Sequence, residues 1–344
     1  MIGRNILWAA ALLLCQACGP SGAIPQGPAD AGGKGEEPTI ALGGSSIVFY
    51  NVENLFDTED DPRTNDADFL PDGKLKWTGE RYNHKLQQLA KAIAWTGPTM
   101  PAVIGLCEVE NARVVSDLAG TAELAAVGYV VLHFDSPDER GIDVALLVDP
   151  TRVRVLQAEA LPIALDDDAT RDVLHAQLDV VGPSDLHVFV NHWSSRSGGQ
   201  EVSEPKRMAA AVVVRAQVDA LLEQDPDAQI LIMGDLNDGP TERSVQHGLR
   251  ASCNPSDGAD LFALMCMDQP AGHGSHHYQG EWNYLDQFVV SRSLLERTES
   301  AKALWDKRLL FRHPKHGQSP DRTYSGGHYK GGFSDHLPVV LRLK

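Results

Sequence analysis

The sequence predicts an α/β fold in which two β-sheets pack together with helices flanking them. Three observations carry that prediction. Apolar runs of strand length recur from residue 45 to the end of the chain. Only two segments show convincing helical periodicity. Neither an internal repeat nor a linker interrupts residues 45–344, so the strands and helices share one domain. The chain has 344 residues, 42% of them hydrophobic, which suffices for a sizeable core.

Residues 47–50 form the first strand. Residues 57–77 follow as a long acidic loop punctuated by Pro62, Pro71 and Gly73. Residues 81–95 read as a helix, because Leu86, Leu89, Ala90 and Ile93 recur at helical spacing. The unbroken apolar run 102–107 suits a strand buried on both faces. Residues 129–134, 143–148 and 186–190 are further strands. A second helix starts with Ser203 as N-cap and Pro205 in the first turn, and runs to about Gln224. Ala209, Val212, Val213, Ala216 and Ala220 are expected to line its buried face. Residues 230–233, 284–290 and 338–343 complete the strands.

Residues 1–18 read as an export signal. Arg4 supplies the positive charge, and the apolar run 6–14 is too short to span a bilayer. Cys18 after Ala17 resembles a lipoprotein cleavage site, with Cys15 where Leu is usual, so lipid-anchored and plain secreted forms both stay open. Residues 19–44, rich in Gly, Pro and Ala, read as a flexible linker. The expected location is therefore outside the cytoplasm: extracellular, periplasmic or membrane-anchored. Cys107 is read as a buried thiol, and Cys253 and Cys266 as partners for a disulfide in an oxidising compartment. The net charge of −17 argues against non-specific coating of nucleic acid, which needs Lys and Arg to neutralise phosphates. It does not exclude an enzyme that meets a phosphate briefly.

The informative pattern is positional. The run 47–50 is followed by Asn51 and Glu53, 102–107 by Glu108, 186–190 by Asn191 and His192, and 230–233 by Gly234, Asp235 and Asn237. Two later strands begin with such residues: Asp286 opens one, and Ser334, Asp335 and His336 precede the other. If the first four strands run one way and the last two the other, all six clusters meet at one edge. Asp and Asn are common turn residues, so any one cluster alone is weak. Six together suit a hard, oxygen-ligated cation and acid–base chemistry.

These residues resemble the endonuclease/exonuclease/phosphatase superfamily. Gly234-Asp235-Leu236-Asn237-Asp238 is similar to its GDxN motif and Ser334-Asp335-His336 to its SDH motif. Phe49-Tyr50-Asn51-Val52 resembles its opening strand, Glu108 its metal-binding Glu, Asn191-His192-Trp193 its central His motif, and Asp286 its His-orienting Asp. The resemblance implies a four-layer α/β sandwich and Mg²⁺-dependent attack of water on a phosphate ester, with Mn²⁺ or Ca²⁺ as alternatives. Asn51, Glu108 and Asp335 are the expected metal residues. His192, Asp235, Asn237, Asp286 and His336 are the expected catalytic set, with the base left open between Asp235 and His336. Arg140 and Arg196 are the candidate phosphate clamps, Arg207 a weaker one. His273, His276 and His277 are read as a mobile polar loop rather than a second metal site.

Three functions compete. A nuclease acting on DNA or RNA leads. A phosphomonoesterase or lipid-head-group phosphodiesterase is the alternative, and fold does not choose between them. A surface binding module would have lost part of the constellation, and every member is present. No stable partner is evident, and a monomer is expected.

Overall fold

The apolar runs pair into two mixed sheets. The computed structural model describes residues 44–344 except 166–167, 181–183, 267–271, 314 and 316, so the leader and the linker up to residue 43 lie outside the described residues. The strands are β1 (Ser46–Leu55), β2 (Val103–Val109), β3 (Val130–His133), β4 (Asp143–Val148), β5 (Arg154–Leu161), β6 (Val173–Asp179), β7 (Leu186–His192), β8 (Gln229–Asp235), β9 (Ala251–Ser252), β10 (Leu261–Ala263), β11 (His276–Tyr278), β12 (Glu281–Asn283), β13 (Asp286–Ser291), β14 (Thr298–Ala303), β15 (Leu310–His313), β16 (Gly317–Pro320), β17 (Tyr324–Ser325), β18 (His328–Tyr329) and β19 (Val339–Leu343). The α-helices are α1 (Gly79–Ala94), α2 (Ala112–Ala119), α3 (Gln200–Gln224) and α4 (Arg292–Arg297).

One sheet runs β14-β19-β1-β2-β4-β3 and the other β5-β6-β7-β8-β13-β10-β9. Their facing sides share one core, in which Ile47 and Phe49 join Val190, Met233 and Phe288. Leu89 and Ile93 of α1 and Val115 and Leu118 of α2 extend it. On the far side α3 packs Ala211, Val214 and Val218 against Phe189, Ile230 and Ile232. The result is the predicted four-layer sandwich. Gly105 of β2 shows how tightly the sheets meet: a Cβ there would lie 2.6 Å from the Met233 Cε.

Strand direction decides where the polar clusters go. β1 is parallel to β2 and β7 to β8, whereas β13 runs antiparallel to β8 and β19 to β1. The first four strands therefore end, and the last two begin, at one edge, which is the condition under which the six clusters meet.

Three local expectations are corrected. The second helix starts at Gln200, and Ser203 lies inside it, where its hydroxyl donates back to the Gly199 carbonyl at 2.8 Å instead of capping. Its buried stripe runs through Arg207, Ala211, Val214, Arg215 and Val218, while Val212 is 55% exposed. Two buried arginines shift the stripe, one paired with Asp238 and the other with Asp219 and Asp260. Arg207 is thus a core residue at 0% exposure and not a phosphate clamp. The strands β5 and β6 complete one end of the second sheet and were not legible as strands. Cys253 and Cys266 are joined by a disulfide, and Cys107 is a buried free thiol.

A pH effect arises on the outer part of the second sheet. His175 sits between Glu159 (Nδ1 to Oε1 3.0 Å) and His187 (Nε2 to Nδ1 3.1 Å), stacked on Phe189. Burial lowers the pKa of both histidines, and His175 lowers that of His187 further. Unfolding restores the ordinary value of about 6.5. The unfolded chain then binds more protons below that pH, so the stability contributed by the pair is present above it and is lost as pH falls. The melting temperature should therefore decline between about pH 7 and pH 5. His175→Gln should decline less steeply, and equal slopes in the two proteins would remove the pair from the account.

Candidate active site

The first sheet supplies its groups through distorted backbone. The β1–β2 ladder breaks register after Asn51, and the β2–β4 ladder breaks between Cys107 and Val109. Glu108 occupies that break at φ +62°, a left-handed conformation that costs a non-glycine residue of order 1 kcal/mol. A bulge of this kind re-aims one side chain out of the strand's alternation. The Glu108 carboxylate accepts hydrogen bonds from the Asn51 Nδ2 at 3.2 Å and the Asn54 amide at 3.0 Å. Asn51 Nδ2 also crosses between the sheets to the Asp235 Oδ2 at 3.1 Å.

The second sheet answers with the ends of β7 and β8. Gly234 lies so close to β7 that a Cβ would sit 2.3 Å from the Asn191 carbonyl oxygen. That contact sets Asp235 beside His192. Asn237, at φ +50°, donates its amide to the Asp235 Oδ1 at 2.9 Å and its Nδ2 to the Trp193 carbonyl at 3.0 Å. His192 Nε2 lies 3.8 Å from both Glu108 Oε1 and Asp235 Oδ2, and its Nδ1 has no hydrogen-bond partner. Burial, then Arg171 and Arg140, hold His192 well below the usual imidazole range, so it is neutral.

The first residue of β13 and the segment leading into β19 complete the cluster. His336 Nδ1 lies 2.7 Å from the Asp286 Oδ2, which turns its Nε2 toward Asp235 at 3.9 Å. Burial disfavours a charged His336, but Asp286, Asp235 and Asp335 outweigh it and hold its pKa well above the ordinary value. Asp235 is pushed up to about 6 by burial, an effect His336 partly offsets. Ser334 Oγ donates to the Asn51 carbonyl at 2.7 Å, pinning the last strand to the first.

A family model described as "Endonuclease/Exonuclease/phosphatase family" matches residues 46–344. The chain belongs to this family. A comparison with curated proteins gives no match. Among solved structures, an endonuclease/exonuclease/phosphatase family protein from Bacteroides thetaiotaomicron matches with TM-score 0.56 at 14% identity, over 87% of this chain and 97% of that one. A mannosyl-6-phosphatase from the same organism matches with TM-score 0.55 at 14% identity, over 87% and 99%. A humanized D. rerio TDP2 matches with TM-score 0.53 at 16% identity, over 87% and 98%. At these identities the likenesses speak for the fold.

In this endonuclease/exonuclease/phosphatase chain the predicted residues divide by position. Asn51, Glu108, His192, Asp235, Asn237, Asp286 and His336 form the connected cluster just described. Asp335 stands beside it, close enough to raise Glu108, and is held by Arg322 (Nη2 to Oδ2 2.7 Å). Arg140 lies over half exposed at the rim and bonds to Asp138. Arg196 is committed to the protein: it donates to the Asn237 carbonyl at 2.7 Å, to Gln200 and to Asp238, so it braces the loop after β8 instead of facing a phosphate. The histidine segment is also revised. His276 and His277 belong to the β11–β12 hairpin, and the His276 ring packs on His336 at 4.6 Å. Burial, then His336, lowers His276 to about 4, so it is neutral.

Several participants were not assigned from sequence. Arg171 donates to the carbonyls of His192 (3.1 Å) and Trp193 (2.7 Å) while pairing with Asp138. Arg322 links Asp335 to Glu53. Lys85, buried in α1 with its pKa lowered to about 8 by burial, donates to Thr323 Oγ1 and to the Phe333 carbonyl at 2.6 Å. A charged residue on an amphipathic helix gives no short-range sign of such a partner. Glu53 was visible in the polar tail of β1, but nothing local indicated Arg322.

The donor chemistry fits a divalent cation. Burial, then Asp335, raises Glu108 to about 7, which marks an excess of carboxylate charge in low dielectric. Asp286 Oδ1 is buried without a hydrogen-bond partner. Oxygen donors in such a pocket suit Mg²⁺, which takes few carboxylates and keeps several waters.

Proposed function

We propose that this chain is an exported, divalent-metal-dependent phosphodiesterase of nuclease type. The observation that carries the reading is the meeting of Glu108, Asp235 and the His336–Asp286 pair, from three strands of two sheets and the segment before β19, with His192 and His336 each within 4 Å of Asp235. A cation held by Glu108 with Asn51 and Asp335 would polarise a phosphoryl oxygen and stabilise the leaving oxygen. Asp235, oriented by the Asn237 amide, takes the proton of the attacking water. His336, held by Asp286 and carrying its proton on Nε2, donates to the phosphate. Neutral His192 faces the same space and donates without adding charge. Mg²⁺ is the ion we propose, with Mn²⁺ and Ca²⁺ as the alternatives to be tested. The Cys253–Cys266 disulfide supports an oxidising destination.

A second reading, a phosphomonoesterase, is favoured by one observation: the likeness to a structure described as a mannosyl-6-phosphatase. One experiment separates the two. The purified protein is incubated with duplex and single-stranded DNA, RNA, bis-p-nitrophenyl phosphate and p-nitrophenyl phosphate. Each substrate is run with Mg²⁺, Mn²⁺, Ca²⁺ or EDTA, and Asp235→Ala is the blank. Metal-dependent cleavage of diesters, nucleic acid included, is the expected result. Turnover of the monoester alone selects the second reading, and inertness toward all substrates overturns both.

A further inference from the structure

A cavity of about 580 Å³ opens directly beside the catalytic cluster, with Asp335 and Arg322 in its wall. It is formed by three hairpins that the chemistry does not use: β11–β12, β15–β16 and β17–β18. A phosphate alone needs far less space; this volume lies in the range that encloses a small organic ligand.

The wall has a selective composition. Of the large apolar side chains left exposed among the described residues, only two are aromatic: Tyr278 at 64% and Phe311 at 49% exposure. They lie on different hairpins, and both line this cavity. Exposed rings that line one cavity beside a reaction centre offer stacking surface to a ligand. The wall is also preformed. Trp282, which faces His277 across the β11–β12 ladder, packs on Trp305 at 4.5 Å, and Trp305 stacks on His273 at 3.8 Å. Lys330 adds a cation at the same rim, and its ammonium has no carboxylate within ion-pair distance among the described residues. Gln279 adds an amide whose Nε2 donates to the Tyr278 hydroxyl at 3.1 Å and so ties the two side chains of this wall together.

We infer that this cavity is the subsite for a planar aromatic group of nucleobase size, carried on the alcohol (a nucleoside sugar) that is esterified to the phosphate the cluster cleaves. The inference rests on the phosphodiesterase reading and narrows its substrate. It also agrees with the net charge of −17, since one stacked ring beside one phosphate needs no basic track along a strand.

The test compares two diesters that share a leaving group: the p-nitrophenyl ester of thymidine 5′-monophosphate and methyl p-nitrophenyl phosphate. The protein should favour the nucleotide ester in kcat/KM by about tenfold or more, the worth of one stacked base. The double variant Tyr278→Leu/Phe311→Leu keeps apolar surface and removes the rings. It should lose about tenfold or more on the nucleotide ester and stay within about twofold on the methyl ester. Bis-p-nitrophenyl phosphate is the third arm: preference for it over both others assigns the subsite to simple aryl esters rather than nucleosides. No ring preference in the wild type, or equal losses on both esters, overturns the inference. If no ester is hydrolysed, the phosphodiesterase reading fails separately. Calorimetric binding of thymidine 5′-monophosphate with Mg²⁺, lost in the double variant, would then still uphold the subsite, and unchanged or absent binding would refute it.

Discussion

Asp235→Asn is expected to lower kcat by a factor of about 10³ while leaving the protein folded and no less stable. Both halves follow from the same surroundings. The Oδ1 accepts the Asn237 amide, and the Oδ2 meets Asn51 Nδ2 at 3.1 Å and stands 3.9 Å from the His336 Nε2. Asn keeps the shape and the ability to accept one of these bonds. It cannot take up a proton. Burial already raises this carboxyl to about 6, so its ionised form is held against an unfavourable environment. Removing that charge relieves the fold and disables the chemistry, a trade that active sites commonly show. Initial rates with Mg²⁺ and a urea unfolding curve measure the two effects on one preparation. Wild-type turnover would sink the assignment of Asp235. A destabilised protein with lowered rates would reduce it to a structural residue.

Gly234→Ala is expected to destabilise the protein by about 3 kcal/mol and to abolish activity with it. The added Cβ would fall 2.3 Å from the Asn191 carbonyl oxygen and 2.6 Å from the Asn191 Cβ. Neither atom can retreat, because β7 and β8 are paired there in parallel register and Asn191 Nδ2 is bonded to the carbonyls of Phe189 and Met233. Gly105 makes the useful contrast. Its Cβ would meet the end of the Met233 side chain, a flexible thioether that can rotate away. Guanidinium unfolding of the two alanine variants should therefore rank Gly234 well above Gly105 in cost. Equal costs would mean that the β7–β8 contact is not the rigid element.

Much of the site was legible because strand ends are legible. An apolar run that stops at a carboxylate, amide or imidazole gives both a direction and a functional group, and six such runs fixed the edge where Asn51, Glu108, His192, Asp235, Asp286 and His336 meet. Residues that act through the gaps between runs were not legible. His276 reaches His336 through a two-strand hairpin, and Arg322 reaches Glu53 across 269 residues. Neither relation leaves a periodic trace. The helix α3 misled for a different reason. Its buried stripe carries Arg207 and Arg215, whose charges are neutralised by aspartates elsewhere in the chain, so hydrophobicity placed the buried face too far around. The strand β5 was missed because it alternates weakly and lies at a sheet edge, where side chains need not be apolar.

The left-handed residues around the cluster have a spectroscopic consequence. Asn54 and Asn237 each direct a backbone amide at a carboxylate of the site, Glu108 in the first sheet and Asp235 in the second. An amide proton held by a carboxylate resonates according to that oxygen's charge. In a nitrogen-labelled sample these two signals are therefore resident sensors, one for each half of the centre. A cation arriving at Glu108 displaces the first, a proton arriving at Asp235 displaces the second, and the order in which they move during a titration reads out the sequence of events without any substrate present.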